Sequence, residues 1–400
     1  MVVATAFLLR VACIVVLADL HTGYYWEYGE IAKNLLAGKG YSLYHVDDSG
    51  VVQKFSPSAD PFPSAYMPPG YVFFIWIFLH VGDVVLRNWA ILIVHALSGS
   101  LACLVVHRFT RDFFDPAAAM TAAVIAAVFP EFIYATLSFT PTVLYHFGIM
   151  VVLYLLFASE RTSLKTPTVG SGIMLGLLSL LRFEVVLFAA MIVLRWMVRK
   201  DWKKALMVTG IVGIMLLPWQ IRNILVFGEF VPLGTSAGLN FFRGHNTSEI
   251  GAWGDEAFGV ASGDIRPAED YEVRLNEMYF RHAIAGISGD AGGEISRTLE
   301  KISYLWTFRP GDQRSMHVLY LFPWLCLLVP AVAGWGMRKM RVWSPVGLFF
   351  VYSTFLVVIF FPMPRYQTMM KIALVPIAAL PLSKLWEVVV ERCRRVRAIH

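Results

Sequence analysis

Residues 19–71 read DLHTGYYWEYGEIAKNLLAGKGYSLYHVDDSGVVQKFSPSADPFPSAYMPPGY. This stretch is polar, whereas the sequence on both sides of it is strongly apolar. It holds a cluster of aromatic residues, most of the acidic residues of the first hundred positions, and a turn signal at Pro68-Pro69-Gly70. A carboxylate-rich loop between apolar segments predicts that the chemistry of the protein takes place in this loop.

The composition excludes an ordinary soluble protein. The chain of 400 residues is 57% hydrophobic and 16% charged, whereas soluble domains have about 25% charged residues. Apolar runs of roughly 20 residues, the length that crosses a bilayer, recur along the chain. The net charge is +6, but the basic residues stand in short loops between apolar runs, which is typical of topology signals. We therefore predict a polytopic α-helical protein of the lipid bilayer, without a nucleic-acid partner.

Arg-rich breaks between the apolar runs predict the topology, because positively charged loops stay on the cytoplasmic side. With these breaks inside, the chain has about ten membrane helices and two cytoplasmic termini. The apolar run at residues 71–79 is too short to cross, so we expect a juxtamembrane helix on the outer surface. The predicted membrane helices cover residues 2–18, 88–107, 116–132, 138–159, both halves of 169–197, 204–219, 316–336, 343–361 and 368–390, and amphipathic helices lie near 269–285 and 293–307.

This topology divides the chain into three predicted regions. Residues 1–222 form an N-terminal membrane core, whose first outer loop at residues 19–87 is the candidate catalytic loop. Residues 223–315 form an outer, periplasmic loop region. Residues 316–400 form the last membrane helices and a basic cytoplasmic tail. The polar motifs gather on the outer side of this topology, which favours an extracytoplasmic active site.

Two carboxylates in the first outer loop are candidate catalytic residues. At the boundary of lipid and water, a carboxylate can take a proton from a reacting hydroxyl or amine. If residues 26–36 are helical, Glu27 and Glu30 share a face, whereas Tyr28 points elsewhere. Asp19, at the end of the first apolar run, is the second candidate. The alternative is an ordinary polar loop whose carboxylates are solvated.

The segments WEYGEIAKNLLAGKGYS (residues 26–42) and AYMPPGY (residues 65–71) resemble the first-loop signature of the GT-C superfamily of membrane glycosyltransferases. The similarity is greatest to bacterial relatives of protein O-mannosyltransferases and of the lipid A aminoarabinose transferase. The resemblance places Glu27 at the carboxylate position of that signature. Family proteins often carry an adjacent Asp-Glu pair, which is missing here, so either Glu27 or Asp19 is the base, and we favour Glu27. Tyr66, in the second segment, is a candidate substrate-binding residue.

A second segment of the chain resembles the same family over a longer stretch. Residues 218–246 read PWQIRNILVFGEFVPLGTSAGLNFFRGHN and are similar to its Pro-Trp-x-x-Arg-Asn helix end and the run that follows. Arg222 at a membrane boundary suits a phosphate, because a guanidinium donates two parallel hydrogen bonds to it. The alternative is that Arg222 only extends to the interface. Asn223, Arg243 and His245 are candidate substrate-binding residues by the same resemblance.

Three more residues on the predicted outer side are candidates for binding a donor phosphate. Arg182 lies between two predicted membrane helices and needs a partner there, either Glu184 or the phosphate. The pair Arg365 and Tyr366 matches the Arg-Tyr of the family at the outer start of the last helix.

Glu131 and Lys371 are further candidates for substrate binding. Glu131 follows Pro130 at the outer end of a predicted helix, where it is either a second carboxylate of the site or a helix cap, and we favour the cap. Lys371 lies deeper in the last helix and either faces a lipid phosphate or extends to the interface, which we favour.

The resemblance implies an all-α GT-C fold and a glycosyl transfer reaction. A polyprenyl-phosphate-linked sugar is then the donor, and the acceptor is a lipid, a glycan or a protein. The reaction takes place on the periplasmic or extracellular face of the plasma membrane, with the carboxylate as base and the arginines on the phosphate. The histidines show no ligand spacing, so we predict neither a metal site nor a cofactor, although a divalent cation is compatible with the family.

A transporter or flippase of a lipid-linked sugar is the main alternative, because it also needs arginines for phosphate and a groove for the lipid. Such proteins tend to place charges near the bilayer midplane and often contain inverted repeats. This sequence places its charges at the predicted outer boundary and shows no repeat. An inactive scaffold with the same fold is the third hypothesis.

Overall fold

The computed structural model of the chain describes residues 2–47, 52–55, 60–245, 250–251 and 265–397. Within these residues the fold is α-helical apart from one antiparallel two-stranded hairpin in the first loop. The elements are α1 Val2–Leu17, α2 Trp26–Leu36, β1 His45–Val46, β2 Val52–Gln53, α3 Pro69–Leu79, α4 Val84–Phe109 with a π-helical turn Thr110–Phe114, α5 Ala119–Val128, α6 Pro130–Leu137, α7 Thr142–Arg161, α8 Thr166–Leu181, α9 Val185–Val198, α10 Trp202–Phe227, α11 Ala237–Gly244, α12 Tyr271–Gly289, α13 Ala291–Trp306, α14 Gln313–Met316, α15 Val318–Arg338, α16 Pro345–Ile359 and α17 Pro364–Arg397.

Helices that can cross a bilayer form the body of the molecule. In the described part of the chain, five single helices are long and apolar enough to cross, and the bent pair of α5 and α6 can form a sixth span. Four shorter apolar helices, α1, α8, α9 and α16, coincide with predicted membrane helices, and α3 coincides with the predicted juxtamembrane helix. The predicted all-α polytopic membrane fold is therefore confirmed.

The predicted end of α10 at residue 219 is wrong. The helix continues to Phe227 because its sequence stays apolar until Gly228, which ends it in a left-handed conformation with φ 67°. Arg222 and Asn223 therefore lie inside the last turns of a helix and not in the loop that follows it.

The predicted helix at residues 116–132 is also wrong, because it consists of α5 and α6, bent by 49°. Pro130 has no N–H group, so the carbonyl of Ala126 loses its helical partner. Arg10 of α1 replaces it: Nη2 donates to the Ala126 carbonyl and Nη1 to the Ala127 carbonyl, each over 3.3 Å. A buried guanidinium thus caps the end of α5, where the helix dipole favours a positive charge.

The helices of the outer loop pack against the first loop and against the end of α16. Gly238 of α11 approaches α12 so closely that a Cβ atom there would lie 2.1 Å from the carbonyl oxygen of Asn276. The backbone N–H of Thr235, just before α11, donates to the carbonyl of Ala65 in the first loop over 3.1 Å. The first loop and the outer helices therefore form one wall above the membrane helices.

Candidate active site

Glu27 lies in the first turn of α2, at the predicted position, with a lysine beside it. The Nζ atom of Lys54 is 3.5 Å from Oε1 of Glu27 and donates a hydrogen bond of 2.8 Å to the hydroxyl of Tyr66. The Glu27 side chain is 13% exposed and that of Lys54 is 15% exposed. The structure thus brings together Glu27 and Tyr66, both predicted site residues, through Lys54, which the sequence analysis did not identify.

The lysine keeps its charge in this position. Burial by itself lowers the pKa of Lys54, but the neighbouring Tyr66 and Glu27 raise it more, so the net pKa is above its ordinary value. Its ammonium also lies 4.0 Å from the centre of the Tyr66 ring, within the range of a cation–π contact. Glu27 therefore has a permanent cation next to it.

The start of α2 fixes the direction of Glu27. Trp26, the first residue of the helix, has φ 57°, in a left-handed region that bulky side chains avoid. Tyr25, just before it, is buried and donates from its hydroxyl to Oδ1 of Asn88 on α4 over 2.7 Å. Such backbone strain persists where the surroundings hold it, and it is concentrated at functional sites.

Asp19, the second candidate base, lies in the turn after α1. Its side chain is exposed, and its Oδ1 atom accepts a hydrogen bond of 3.0 Å from the backbone N–H of His21. This is a local turn contact, typical of an aspartate that shapes a loop. Asp19 thus belongs to a local turn, whereas Glu27 is paired with Lys54.

Arg182 lies in the short connection between α8 and α9, where it meets Glu184, one of its two predicted partners. Its guanidinium donates to Oε1 of Glu184, from Nε over 2.6 Å and also from Nη2. It lies 5.6 Å from the ring centre of Tyr366 and 6.0 Å from that of Tyr145. Arg182 and Tyr366 are thus neighbours. The side chain of Arg365 lies outside the described part of the chain.

The structure shows Arg222 bound to backbone carbonyls. Nη1 donates to the carbonyl of Ser64 over 2.7 Å, and Nη2 to that of Tyr41 over 2.9 Å. Asn223 accepts from Arg222 through Oδ1 and donates to the carbonyl of Val231 over 3.0 Å. These contacts hold the first loop on α10. Arg222 and Asn223 therefore support the loop that carries Tyr66.

Glu272 of α12 is a second buried carboxylate that the sequence analysis missed. Its Oε2 accepts from the N–H of Ala65 over 2.9 Å and from the hydroxyl of Thr235 over 2.6 Å. Burial raises the pKa of Glu272, and hydrogen bonds from Ser64, Thr235 and Ala65 act in the opposite direction. Glu272 therefore fastens the outer helices to the first loop.

Glu131 and Lys371 form an ion pair inside the membrane body. The preferred interpretations, a helix cap and an extension to the interface, are both wrong, because the two side chains are 8% and 0% exposed and bind each other. Thr368 also donates to Oε2 of Glu131 over 2.6 Å, and the Lys371 ammonium lies 3.9 Å from the ring centre of Tyr320. The pair joins α6 to α17, the helix that carries Tyr366.

Arg243 and His245 belong to a buried polar cluster at the top of α16. The Nδ1 atom of His245 lies 2.7 Å from Oε1 of Glu294, and its Nε2 atom lies 2.9 Å from the carbonyl oxygen of Ile359. Lys301 of α13 donates to the carbonyl of Val358 over 2.8 Å. Arg243 donates to the carbonyl of Gly251 over 2.7 Å. The contacts of this cluster connect α11, α13 and α16, which indicates a role in holding the outer helices.

The residues around Glu27 do not fit a divalent cation. The neighbour of the carboxylate is an ammonium group, and Asp19 takes part in a turn of its own. Among the residues that the structure describes, no three His, Cys, Asp or Glu side chains are grouped to hold a metal ion. The divalent cation that is compatible with the family stays a prediction.

Residues 66–219 match the family model of the dolichyl-phosphate-mannose-protein mannosyltransferases. The match begins at Tyr66 in the first loop and ends at Trp219 in α10, and it includes the connection that carries Arg182. No curated protein matches the sequence.

The chain was also compared with solved structures. The crystal structure of the oligosaccharyltransferase of Archaeoglobus fulgidus with Zn and sulfate aligns with a TM-score of 0.58 at 14% identity and covers 100% of this chain. This chain spans only 51% of that protein. ArnT from Cupriavidus metallidurans, bound to undecaprenyl phosphate, aligns with a TM-score of 0.44 at 11% identity, over 95% of this chain and 77% of that one. Over residues 66–219 the chain is therefore similar to this mannosyltransferase family, and over its whole length it has a fold similar to that of the oligosaccharyltransferase.

Proposed function

We propose that this protein transfers a sugar from a polyprenyl-phosphate-linked donor to an acceptor on the outer face of the plasma membrane. The observation that carries the proposal is the Glu27 carboxylate in the first turn of α2, which is partly exposed and lies 3.5 Å from the Lys54 ammonium. The donor class is supported by the name of the matched family, since dolichyl phosphate mannose is a polyprenyl-phosphate-linked sugar.

In this reaction an acceptor hydroxyl or amine attacks the anomeric carbon of the donor sugar. The bond from that carbon to the phosphate oxygen breaks, polyprenyl phosphate leaves, and the acceptor proton moves to Glu27. A single displacement of this kind inverts the anomeric configuration. Glu27 is the catalytic base in this proposal.

Arg182 is the residue that we assign to the phosphate of the donor. It is buried between two apolar helices, and a positive charge in that position is costly unless it has partners or a function. Glu184 provides one partner, and the ring of Tyr366 lies 5.6 Å from the guanidinium. As the leaving group gains charge in the transition state, a fixed guanidinium stabilises it without reorganisation.

The predicted topology completes the proposal. The site faces the periplasm or exterior, and both termini lie in the cytoplasm, as the basic breaks between the helices indicate. The N-terminal membrane core carries the catalytic groups, residues 223–315 close the site from the outer side, and the last helices complete the membrane body.

Binding of undecaprenyl phosphate to the purified protein tests the donor site. We expect the ligand to raise the melting temperature of the wild type and of Glu27→Gln. We expect a much smaller rise in the double variant Arg182→Gln/Glu184→Gln, which leaves no unpaired charge behind. Arg274→Gln, which removes a 46% exposed arginine of α12, is the matched control and should respond like the wild type.

The donor site would be refuted if the wild type showed no shift, or if the double variant responded like the wild type. Reconstituted vesicles separate the proposal from a flippase. A flippase moves an intact lipid-linked sugar across the bilayer in the absence of an acceptor, whereas a transferase breaks the bond between sugar and phosphate.

A further inference from the structure

A cavity of about 360 Å³ lies between the first loop and the outer helices α11 and α12. Clefts that hold small molecules have volumes of about 300–1,000 Å³, so this cavity can take a single small ligand. The first loop contributes Tyr44, Val52, Gln53, Lys54 and Phe55 to the lining. The outer helices contribute Leu239, Tyr271, Leu275 and Tyr279.

Three tyrosine hydroxyls of the lining make no hydrogen bond to the residues that the structure describes. They belong to Tyr44, Tyr271 and Tyr279, which are 6%, 2% and 1% exposed, respectively. None of these oxygens is among the fully enclosed atoms that lack a partner, so each is open to the cavity or to solvent. Because a phenol hydroxyl both donates and accepts, three of them around one cavity suit a ligand with several hydroxyl groups.

The remaining wall is apolar, with rings and aliphatic side chains. The ring centres of Tyr44 and Tyr271 lie 5.3 Å apart, and Leu239 and Leu275 fill the space beside them. A sugar ring has the matching chemistry, since its C–H faces pack on aromatic rings while its rim of hydroxyl groups forms hydrogen bonds. Within the described lining there is no carboxylate, so a cationic ligand has no counter-charge there.

Lys54 connects the cavity to the catalytic carboxylate. It lines the cavity, and the same Nζ atom lies 3.5 Å from Oε1 of Glu27. Phe55 extends the aromatic wall outward, because its ring centre lies 5.7 Å from that of Tyr24, which lies 5.1 Å from that of Trp26. A ring bound in the cavity therefore lies beside Lys54, the residue that contacts Glu27.

We propose that this cavity binds a sugar ring and presents it to Glu27. The proposal rests on the glycosyltransferase function proposed above and adds the class of ligand that the cavity takes. The ring belongs either to a carbohydrate acceptor or to the sugar of the donor, and both sources share the same chemistry.

Saturation-transfer NMR on the full chain in lipid nanodiscs tests the proposal, with free mannose, glucose, galactose and N-acetylglucosamine as probes. We expect ring C–H signals from at least one sugar. The double variant Tyr44→Phe/Tyr279→Phe loses only two hydroxyls, and it should bind that sugar roughly tenfold more weakly. Tyr134→Phe, which alters a 70% exposed tyrosine of α6, is the matched control and should bind like the wild type.

A second arm distinguishes the two sources of the sugar. The measurement is repeated with saturating undecaprenyl-phosphate-linked mannose. A signal that survives indicates an acceptor site, and a signal that disappears indicates that the sugar of the donor fills the cavity. Either result supports the proposal.

Three results would overturn the proposal. These are no signal from any sugar, equal binding by the double tyrosine variant, or binding of a serine- and threonine-rich peptide in place of the sugars. The melting-temperature shift with undecaprenyl phosphate is measured on the same samples. If that shift is present while sugars do not bind, this inference fails and the donor site stands.

Discussion

The Lys54 ammonium lies 3.5 Å from the Glu27 carboxylate and at the same time donates to the Tyr66 hydroxyl over 2.8 Å. Lys54 follows the β1–β2 hairpin, Glu27 begins α2, and Tyr66 precedes α3. One cation therefore fixes the relative positions of three segments of the first loop. We infer that it holds the carboxylate in the direction in which the acceptor approaches.

Replacement of Lys54 should impair turnover more than donor binding. In Lys54→Met the carboxylate loses its neighbour and can turn away, so we expect kcat to fall roughly tenfold or more while binding of undecaprenyl phosphate is retained. Lys54→Arg keeps the charge and should recover part of the rate. A loss of donor binding equal to the loss of rate would instead place Lys54 on the donor phosphate.

Arg222 should contribute to stability through the first loop. Each hydrogen bond from a charged donor contributes on the order of 1.5–3 kcal/mol, and Arg222→Ala removes those to Tyr41 and Ser64. We expect a lower melting temperature without any ligand and faster proteolysis within residues 37–66. Arg274→Ala is the control, because exposed ion pairs contribute only about 0–1 kcal/mol. Unchanged stability of Arg222→Ala would contradict this role.

The Glu131–Lys371 pair should show strong energetic coupling. Removal of one partner of a buried ion pair leaves an uncompensated charge and costs about 3–5 kcal/mol. We therefore expect Lys371→Met alone to be strongly destabilising, and the double variant Lys371→Met/Glu131→Gln to be clearly more stable than Lys371→Met. Chemical unfolding in mixed micelles gives the free energies of unfolding of the wild type, of Lys371→Met, of Glu131→Gln and of the double variant. Additive effects of the two substitutions would contradict the pairing.

The cap that Arg10 forms on α5 should depend on Pro130. Arg10→Met leaves two carbonyls in the membrane body without donors, at a cost of about 1–3 kcal/mol for each unsatisfied group. Pro130→Ala supplies an N–H group for the carbonyl of Ala126, so Arg10→Met should cost less in that background. Contacting residues show coupling energies of about 0.5–3 kcal/mol. A coupling near zero in the unfolding measurements would argue against the cap.

Lys301 should make stability rise with pH in the alkaline range. Burial, opposed by Glu294, lowers the pKa of Lys301 from 10.5 to about 8 in the folded protein. Between these two values the unfolded chain binds the extra proton, so the free energy of unfolding increases with pH. The contribution is fully present above the unfolded pKa and is lost as the pH falls through about 8.

The variant Lys301→Met isolates this effect, because it removes the titrating group and leaves the other residues unchanged. The melting temperature of the wild type minus that of the variant should increase from pH 7.5 to pH 10. A difference that stays constant over this range would show that Lys301 does not titrate there.

The sequence predicted the parts of this molecule that depend on local chemistry. Residues 26–36, which the sequence analysis considered as a helix, form α2, and the run of apolar segments predicted the membrane body. The end of α10 was open to prediction as well, because Gly228 is the first residue after residue 219 that ends a helix easily. The predicted helix nevertheless ended at residue 219.

Contacts between distant segments were beyond such reasoning. Glu131 and Lys371 are 240 positions apart, and Glu272 and Ala65 are 207 positions apart, so no spacing rule joins them. The sequence also did not indicate that Lys54 belongs to the site, because a single lysine after two valines and a glutamine is typical of a solvated hairpin. The sequence analysis singled out Arg222, but its partners in the structure are backbone carbonyls, which no sequence pattern indicates.

The most direct test of the account measures the release of undecaprenyl phosphate from a panel of undecaprenyl-phosphate-linked sugars, with a membrane extract as the source of acceptors. This product is the same whatever the acceptor is. We predict release by the wild type from at least one donor, and release by Glu27→Gln that is slower by about 10²–10⁴-fold, although both proteins bind undecaprenyl phosphate equally. Release by Glu27→Gln at the wild-type rate would contradict the assignment of Glu27 as the base and, with it, the mechanism proposed for this site.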